Sequence, residues 1–317
     1  MINTDFYHEP VLREEVLKLL VTTSSGVYVD CTLGGGGHFR MIAEKLDSNA
    51  TLIGIDRDPD SIRWNQTHKT HGPRSIIEQC RFSRFDSVLA KYRINAVDGI
   101  LLDLGVSSFQ IENPYRGFSY MKDSALDMRM NTDEGISASE LLKTESQSAI
   151  AEILERFGEV QNAPRMAKTI KDCPFPLETS ADLRECLKRE YGPNLKIKVL
   201  AKVFQALRIA VNDELGELKL FLDKVCKYLQ PNGRVVIIAY HSLEDRMVKE
   251  FMRSSEQECV CPAGQVVCTC HRHILLKRIN KKAIKASENE IKKNPRARSA
   301  RLRAAQRTQE VLNEEKS

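Results

Sequence analysis

The stretch "VYVDCTLGGGGHFRMI", Val27 to Ile42, decides the fold. An apolar run closes on Asp30, glycines follow from Gly34 to Gly37, and a helical pattern then carries Phe39, Ile42, Ala43 and Leu46. Glycine loses more backbone freedom on folding than any other residue, so a run of them marks a place where side chains are excluded. A strand, a glycine-rich turn, a helix and an acid ending the next strand together form the nucleotide-cofactor site of an open α/β sheet. The acid is Asp56, closing "TLIGID" (51–56), where a ribose hydroxyl pair would be held.

The spacing is not G-x-G-x-x-G, and no Lys follows as in a P-loop. S-adenosylmethionine, an adenosine without a diphosphate, is the remaining common client. A dinucleotide stays open as the alternative on spacing alone.

Outward from this stretch, β-rich runs alternate with helical patterns, as a parallel sheet with crossover helices requires. "VYVDC" (27–31), "TLIGID" (51–56), "SIIEQCRF" (75–82), "AVDGILLDLG" (96–105) and "GRVVIIAYHS" (233–242) read as five strands. Asp58 and Pro59 read as the N-cap and first residue of a helix. The fourth strand is the most apolar, as suits burial on both faces, and its terminal Asp103 points to the carboxyl edge where ligands bind. Between the fourth and fifth strands the chain is too long for one crossover. A polar loop to about Gly135 and a series of helical patterns predict an inserted helical domain over 110–204, likewise a substrate-recognition element, with the core formed by 1–109 and 205–317.

Composition sets the class. At 42% hydrophobic and 29% charged residues the chain is an ordinary globular protein, and no apolar run has the ~20 residues of a membrane helix. The N-terminus is too charged for a signal peptide, and nine scattered cysteines read as thiols, so a cytoplasmic location is expected. The net charge is only +5, yet His271 to Arg307 holds two acids, Glu288 and Glu290, among many Lys and Arg. Such a run is usually a solvated helix face and less often a polyanion contact; the spacing of Arg296, Arg298, Arg301, Arg303 and Arg307 adds a little weight to the second. "CVCPAGQVVCTCHRH" (259–273) sets Cys259, Cys261, Cys268 and Cys270 as candidate zinc ligands of a structural kind, in C-x-C pairs tighter than the usual C-x-x-C. Free thiols are the other reading.

At this point several blocks combine: "HEPVL" (8–12), "DCTLGGGGH" (30–38), "GIDRDPDSI" (54–62), "DGILLDLGVSSFQ" (98–110), "RGFSYMKDSALDMRMN" (116–131), "FQALRIAVNDEL" (204–215), "HSLEDRMVKEFMR" (241–253) and "NPRARSARLRAAQR" (294–307). In this order, over nearly the whole chain, they resemble the ribosomal RNA small subunit methyltransferase H family. The resemblance implies a class I S-adenosylmethionine-dependent methyltransferase core, Rossmann-like, that methylates N4 of a cytosine in the decoding region (P site) of 16S rRNA within the small ribosomal subunit. It also implies the cofactor contacts: Gly36, Gly37, His38, Asp56, Phe85, Asp103 and Gln110. The chain departs from the family's usual pattern at Gly35, where Arg or Lys is common, at Phe109, where Pro is common, and in "KIKVLAKV", where a His-Pro pair is common.

The chemistry narrows the catalytic candidates. A cytosine amine is a poor nucleophile, so the base must leave its stack, meet the methyl sulfonium in line and lose a proton. Asp103, Asp127, Asn212 and His241 are the candidate proton acceptors or orienting groups, with Arg129 beside them for RNA. Phe118 and Tyr120 are either stacking platforms for a flipped base or core residues. A cysteine nucleophile is disfavoured because no thiol follows Asp103 closely. Two rivals remain: an RNA-binding assembly factor that senses the cofactor, and a methylase of DNA or a small molecule. The second lacks its usual Asp/Asn-Pro-Pro-aromatic motif, since this chain has "DLGV". Monomer and homodimer are both compatible with the sequence.

Overall fold

The structure, a computed structural model, describes residues 10–121, 123–192, 195–259 and 273–309. The chain divides into a core unit, 1–105 with 217–317, and a helical unit, 106–216. This places Ile197–Asn212 wholly in the helical unit, whereas the sequence reading returned to the core at 205.

The core unit is built on strands β1 (Val27–Asp30), β2 (Thr51–Asp56), β3 (Arg74–Gln79), β4 (Val97–Asp103), β5 (Leu229–Ala239), β6 (Leu276–Arg278) and β7 (Arg301–Arg307). Their order is β3-β2-β1-β4-β5-β7-β6. The first five are parallel, and β7 lies antiparallel between β5 and β6. Along β5 Val235 and Ile237 face one apolar cluster while Val236 and Ile238 face the other. A strand buried on both faces has no polar alternation, which is why "VVII" and "ILL" read as continuous apolar runs. Helices α1 (Arg13–Leu20), α2 (Gly37–Ala43) and α3 (Pro59–Thr67) contribute to one cluster, and α4 (Phe85–Lys91) to the other. Asp58 caps α3 by accepting from Asp60 N–H at 3.0 Å, with Pro59 in the first turn.

The sequence strands are found with shifted ends, and β6 and β7 lie in the basic segment read as a helix face or polyanion contact. Ala is depleted in strands and Arg is not among the residues enriched there; "RLRAAQR" is extended because neighbours pair with it on both edges.

In the helical unit, which opens with α5 (Ser108–Glu112), helices α6 (Ala138–Thr144), α7 (Gln147–Gly158), α8 (Ala163–Lys171), α9 (Ser180–Tyr191) and α10 (Ile197–Asn212) surround their own apolar cluster, which includes Leu141, Ile150, Leu154, Met166, Leu183, Val203 and Leu207. Asp213, at φ +49°, breaks α10 from α11 (Glu214–Val225). The remaining helices, α12 (Ser242–Ser255) and α13 (Glu288–Lys293), belong to the core unit.

Candidate functional site

The strand order reverses between β1 and β4, and ligands in open α/β sheets bind outside the carboxyl ends of the strands at such a switch point. The glycine loop leaves β1 there. Its backbone is left-handed at Gly34 (φ +49°) and Gly36 (φ +78°), and a Cβ on Gly36 would stand 2.0 Å from Asn65 Oδ1. Glycine is required at that position by space as well as by φ. Around Gly35 there is nothing within 4 Å of where a Cβ would stand, so an Arg or Lys would fit there too.

The loop is tied to the start of α3 by polar contacts. Gly34 N–H donates to Asp56 Oδ2 at 2.7 Å, and Gly34 O accepts from Ser61 Oγ at 2.7 Å and Asn65 Nδ2 at 2.8 Å. Asp56 also accepts from Asp58 N–H at 2.9 Å and Ser61 Oγ at 3.0 Å. Burial pushes the Asp56 carboxyl above its usual range, against these hydrogen bonds, and the charge of Asp58 adds to the rise.

Two further carboxylates end neighbouring strands. Asp30, closing β1, is buried; Oδ1 accepts from Thr32 N–H at 3.1 Å, and Oδ2 has no hydrogen-bond partner among the described residues. Burial raises its pKa to about 7. Asp103, closing β4, is pushed up to about 7 by burial, opposed by the Tyr240 hydroxyl that donates to Oδ1 at 2.9 Å. Its backbone N–H donates to Thr32 Oγ1 at 2.7 Å, fixing it to the loop after β1. His38, in the first turn of α2, lies between the two acids. Its Nε2 is 2.9 Å from Val11 O; a carbonyl only accepts, so Nε2 carries the hydrogen. Nδ1 then faces Asp103 Oδ2 at 3.5 Å. Burial lowers the His38 pKa, against the charge of Asp30 and the bond to Val11.

Asp30, Asp56 and Asp103 thus ring a glycine loop, and among the described residues the basic group that acts on them is the His38 imidazole. Burying carboxylates without a counter-charge is costly. A ligand with fixed positive charge and a ribose diol supplies what the arrangement lacks, and S-adenosylmethionine, with a sulfonium and an ammonium, has both.

The other sequence candidates fall differently. Phe85 is 0% exposed and packs against Phe221 and Tyr228, with ring centroids at 5.2 and 5.3 Å. It is a core residue; Phe82, three residues earlier and near the end of β3, also touches Phe221, with ring centroids at 6.0 Å, but is only half-buried. Gln110, in the helical unit, completes a capping box: its N–H donates to Ser107 Oγ at 3.2 Å and its Oε1 accepts from Ser107 N–H at 2.9 Å.

Asn212, also buried, spends its amide on backbone. Oδ1 accepts from Met130 N–H at 2.8 Å, and Nδ2 donates to Met128 O at 2.7 Å and Arg208 O at 2.9 Å. These bonds clamp the loop at Met128 and Met130 to the end of α10. Asp127 holds Arg129 through both carboxylate oxygens, at 2.9 and 2.7 Å, so each satisfies the other. His241 is the N-cap of α12, with Nδ1 accepting from Glu244 N–H at 3.4 Å and Nε2 3.0 Å from Glu244 Oε1. Phe118 and Tyr120 pack against the helical cluster, Tyr120 at 5.9 Å from Phe204.

In the basic segment, Arg303 is 8% exposed and paired with Asp245, which removes it from any surface for RNA. Arg298 and Arg301 are exposed and Arg296 is half-buried. Cys259 is an exposed thiol, whereas Cys261, Cys268 and Cys270 lie outside the described residues.

Three residues near these strand ends were not among the sequence candidates. Asp30 was legible as the polar end of an apolar strand, and Phe82 as an aromatic just beyond β3. Tyr240 gave no signal, because its hydroxyl meets Asp103 only through the pairing of β4 with β5.

No described helix is long and apolar enough to cross a membrane. Residues 5–308 match the MraW methylase family. The ribosomal RNA small subunit methyltransferase H of Syntrophotalea carbinolica is 42% identical over 309 residues, covering 95% of this chain and 98% of the relative. That of Desulfosudis oleivorans is 40% identical over 309 residues, with 95% and 99% covered, and that of Halothermothrix orenii 41% over 313 residues, with 96% and 99% covered. With the glycine loop, the strand-end acids and the reversal of strand order already in place, the match extends across both units, and the chain belongs to the MraW methylase family.

Proposed function

We propose that this protein methylates N4 of a cytosine in the decoding region of 16S rRNA, in the small ribosomal subunit, using S-adenosylmethionine. One observation carries the cofactor: three strand-end carboxylates around a glycine loop at the switch point of the sheet, two of them raised to about 7 by burial. Family membership and the three relatives support the reaction and the substrate. Such a substrate would be met in the cytoplasm.

Gly36, Gly37, His38, Asp30, Asp56 and Asp103 would hold the cofactor, with Phe82 in place of Phe85 as the aromatic beside its adenine. When bound, S-adenosylmethionine supplies an electrophilic methyl group on a positively charged sulfur. Asp56 pins Gly34 and so keeps the loop backbone open to a ligand. Of the four catalytic candidates, Asp103 alone keeps a carboxylate oxygen with no hydrogen-bond donor among the described residues. Its Oδ2 is therefore the group that can orient the amine or receive its proton. Covalent attachment of the base is not needed, since the nitrogen attacks the methyl directly.

The helical unit is proposed to recognise RNA. Five of its large apolar side chains are exposed, including Tyr115 at 80% and Met121 at 68%; an exposed aromatic is a stacking surface for unpaired bases. Arg298 and Arg301 are exposed, and with Arg296 they would contact phosphates.

Labelled S-adenosylmethionine, incubated with small subunits from cells lacking the protein and with naked 16S rRNA, tests the proposal after digestion to nucleosides. Label in N4-methylcytidine supports it. Cofactor binding with no label in either RNA would point to a sensing factor instead.

A further inference from the structure

We propose that Tyr240 is a positioning residue for methyl transfer, its phenol holding the Asp103 carboxylate in the orientation in which it meets the cofactor and the amine. The inference rests on Asp103 belonging to the site proposed above. Its basis is a chain of contacts within the core unit. Leu104 N–H donates to Ile238 O at 2.9 Å, which fixes the end of β4 against β5. Tyr240 follows β5 directly, and its backbone N–H donates to Glu244 Oε2 at 2.9 Å, anchoring it to the first turn of α12. The same oxygen accepts from His241 N–H at 3.3 Å, so the segment 240–241 is held at two points. From this anchor the Tyr240 hydroxyl donates to Asp103 Oδ1 at 2.9 Å.

The consequence is an asymmetric carboxylate. Oδ1 is occupied by the phenol, while Oδ2 faces His38 Nδ1 at 3.5 Å, beyond hydrogen-bond distance. The bond fixes the rotation of the carboxylate and turns Oδ2 toward the cofactor loop.

The same contact governs charge. Titratable groups around Asp103 are His38 on α2, Asp30 on β1 and Glu244 on α12; Tyr240 itself also faces Glu290 on α13. Glu244 raises the Asp103 pKa, the Tyr240 hydrogen bond lowers it, and burial is the largest influence, upward. The phenol pKa is itself pushed well up by burial and by Asp103, so it stays a donor throughout the working range. Removing it leaves burial and a like charge unopposed.

The test is calorimetric binding of S-adenosylmethionine to the full chain from pH 5.5 to 9, for wild type, Tyr240→Phe and Asp103→Asn. Wild type is expected to lose affinity as pH falls through about 7. In Tyr240→Phe the midpoint should move up by about one pH unit, so affinity near neutrality falls about tenfold and recovers at pH 9. A wild-type curve without a step, an unchanged curve in Tyr240→Phe, or a loss equal at every pH would overturn the inference. Wild-type affinity in Asp103→Asn would overturn the site assignment, and this inference with it. Weakened Asp103→Asn beside unaltered Tyr240→Phe would overturn this inference alone.

Discussion

Arg303 on β7 grips Asp245 on α12 at two points: Nε donates to Oδ1 at 2.7 Å and Nη2 to Oδ2 at 3.2 Å. The pair fastens the antiparallel strand to the helix beside it. Removing Arg303 leaves the nearly buried Asp245 with Arg301 Nη1, 3.9 Å away, as its remaining counter-charge among the described residues, so Arg303→Ala should cost about 3 kcal/mol. Arg298→Ala, at an exposed position, should leave stability nearly unchanged while weakening RNA binding and lowering its salt slope. Denaturant unfolding and RNA binding at several salt concentrations separate the two; equal stability loss in both variants would count against the assignment.

Asn212 yields a second contrast. Asn212→Ala leaves Met130 N–H and Met128 O without their side-chain partner. We expect a loss of about 1–3 kcal/mol, with S-adenosylmethionine affinity unchanged. Thermal unfolding beside calorimetric binding reads both. Full stability with abolished methyl transfer would restore Asn212 as a reacting group.

The two phenylalanines separate core from site. Phe85→Ala empties a fully buried position and should cost about 3–5 kcal/mol. Phe82→Ala, at a half-buried position, should cost less stability and lower cofactor affinity. The opposite pattern in a binding titration would return the adenine contact to Phe85.

Asp30 predicts a pH dependence of stability. Its folded pKa, about 7, lies above the unfolded value of about 3.9, so between these the native state holds the extra proton. Without cofactor, stability should fall as pH rises from about 4 to 7 and then level off, by up to about 1.4 kcal/mol per pH unit from this group. Asp30→Asn should flatten that part of the curve, and added S-adenosylmethionine should stabilise the wild type most above pH 7. Melting temperatures across the range check both; identical slopes in wild type and Asp30→Asn would remove Asp30 from the account.

Asp56 pins the loop backbone, so Asp56→Asn should lower cofactor affinity with the fold retained. Unchanged affinity by calorimetry would end its role in the site.

How far the sequence carries the fold depends on what each element rests upon. β1, β2, β4 and β5 were legible because strands buried on two faces leave unbroken apolar runs, and α3 because Asp58 and Pro59 mark its start locally. β7 was not, since Arg and Ala do not ask for a strand and its conformation comes from partners far away in the chain. Within the site the same division holds. Gly36, Asp56 and Asp103 sit in local patterns that any open sheet imposes. The roles of Asn212, Gln110 and His241 depend on which backbone groups need a partner, and residue type alone cannot separate a cap from a catalyst.

The strand order also has a consequence for synthesis. β4 needs β5 along its open edge, yet the whole of 106–216 is made between them. At about 5–20 residues per second, a ribosome leaves the apolar "GILL" edge unpaired for roughly ten seconds. The helical unit, which carries its own apolar cluster, can collapse during that interval. Each copy of the chain therefore passes through a nascent stage in which the insert has been made while the sheet is still incomplete, the stage at which a chaperone would have the most to grip.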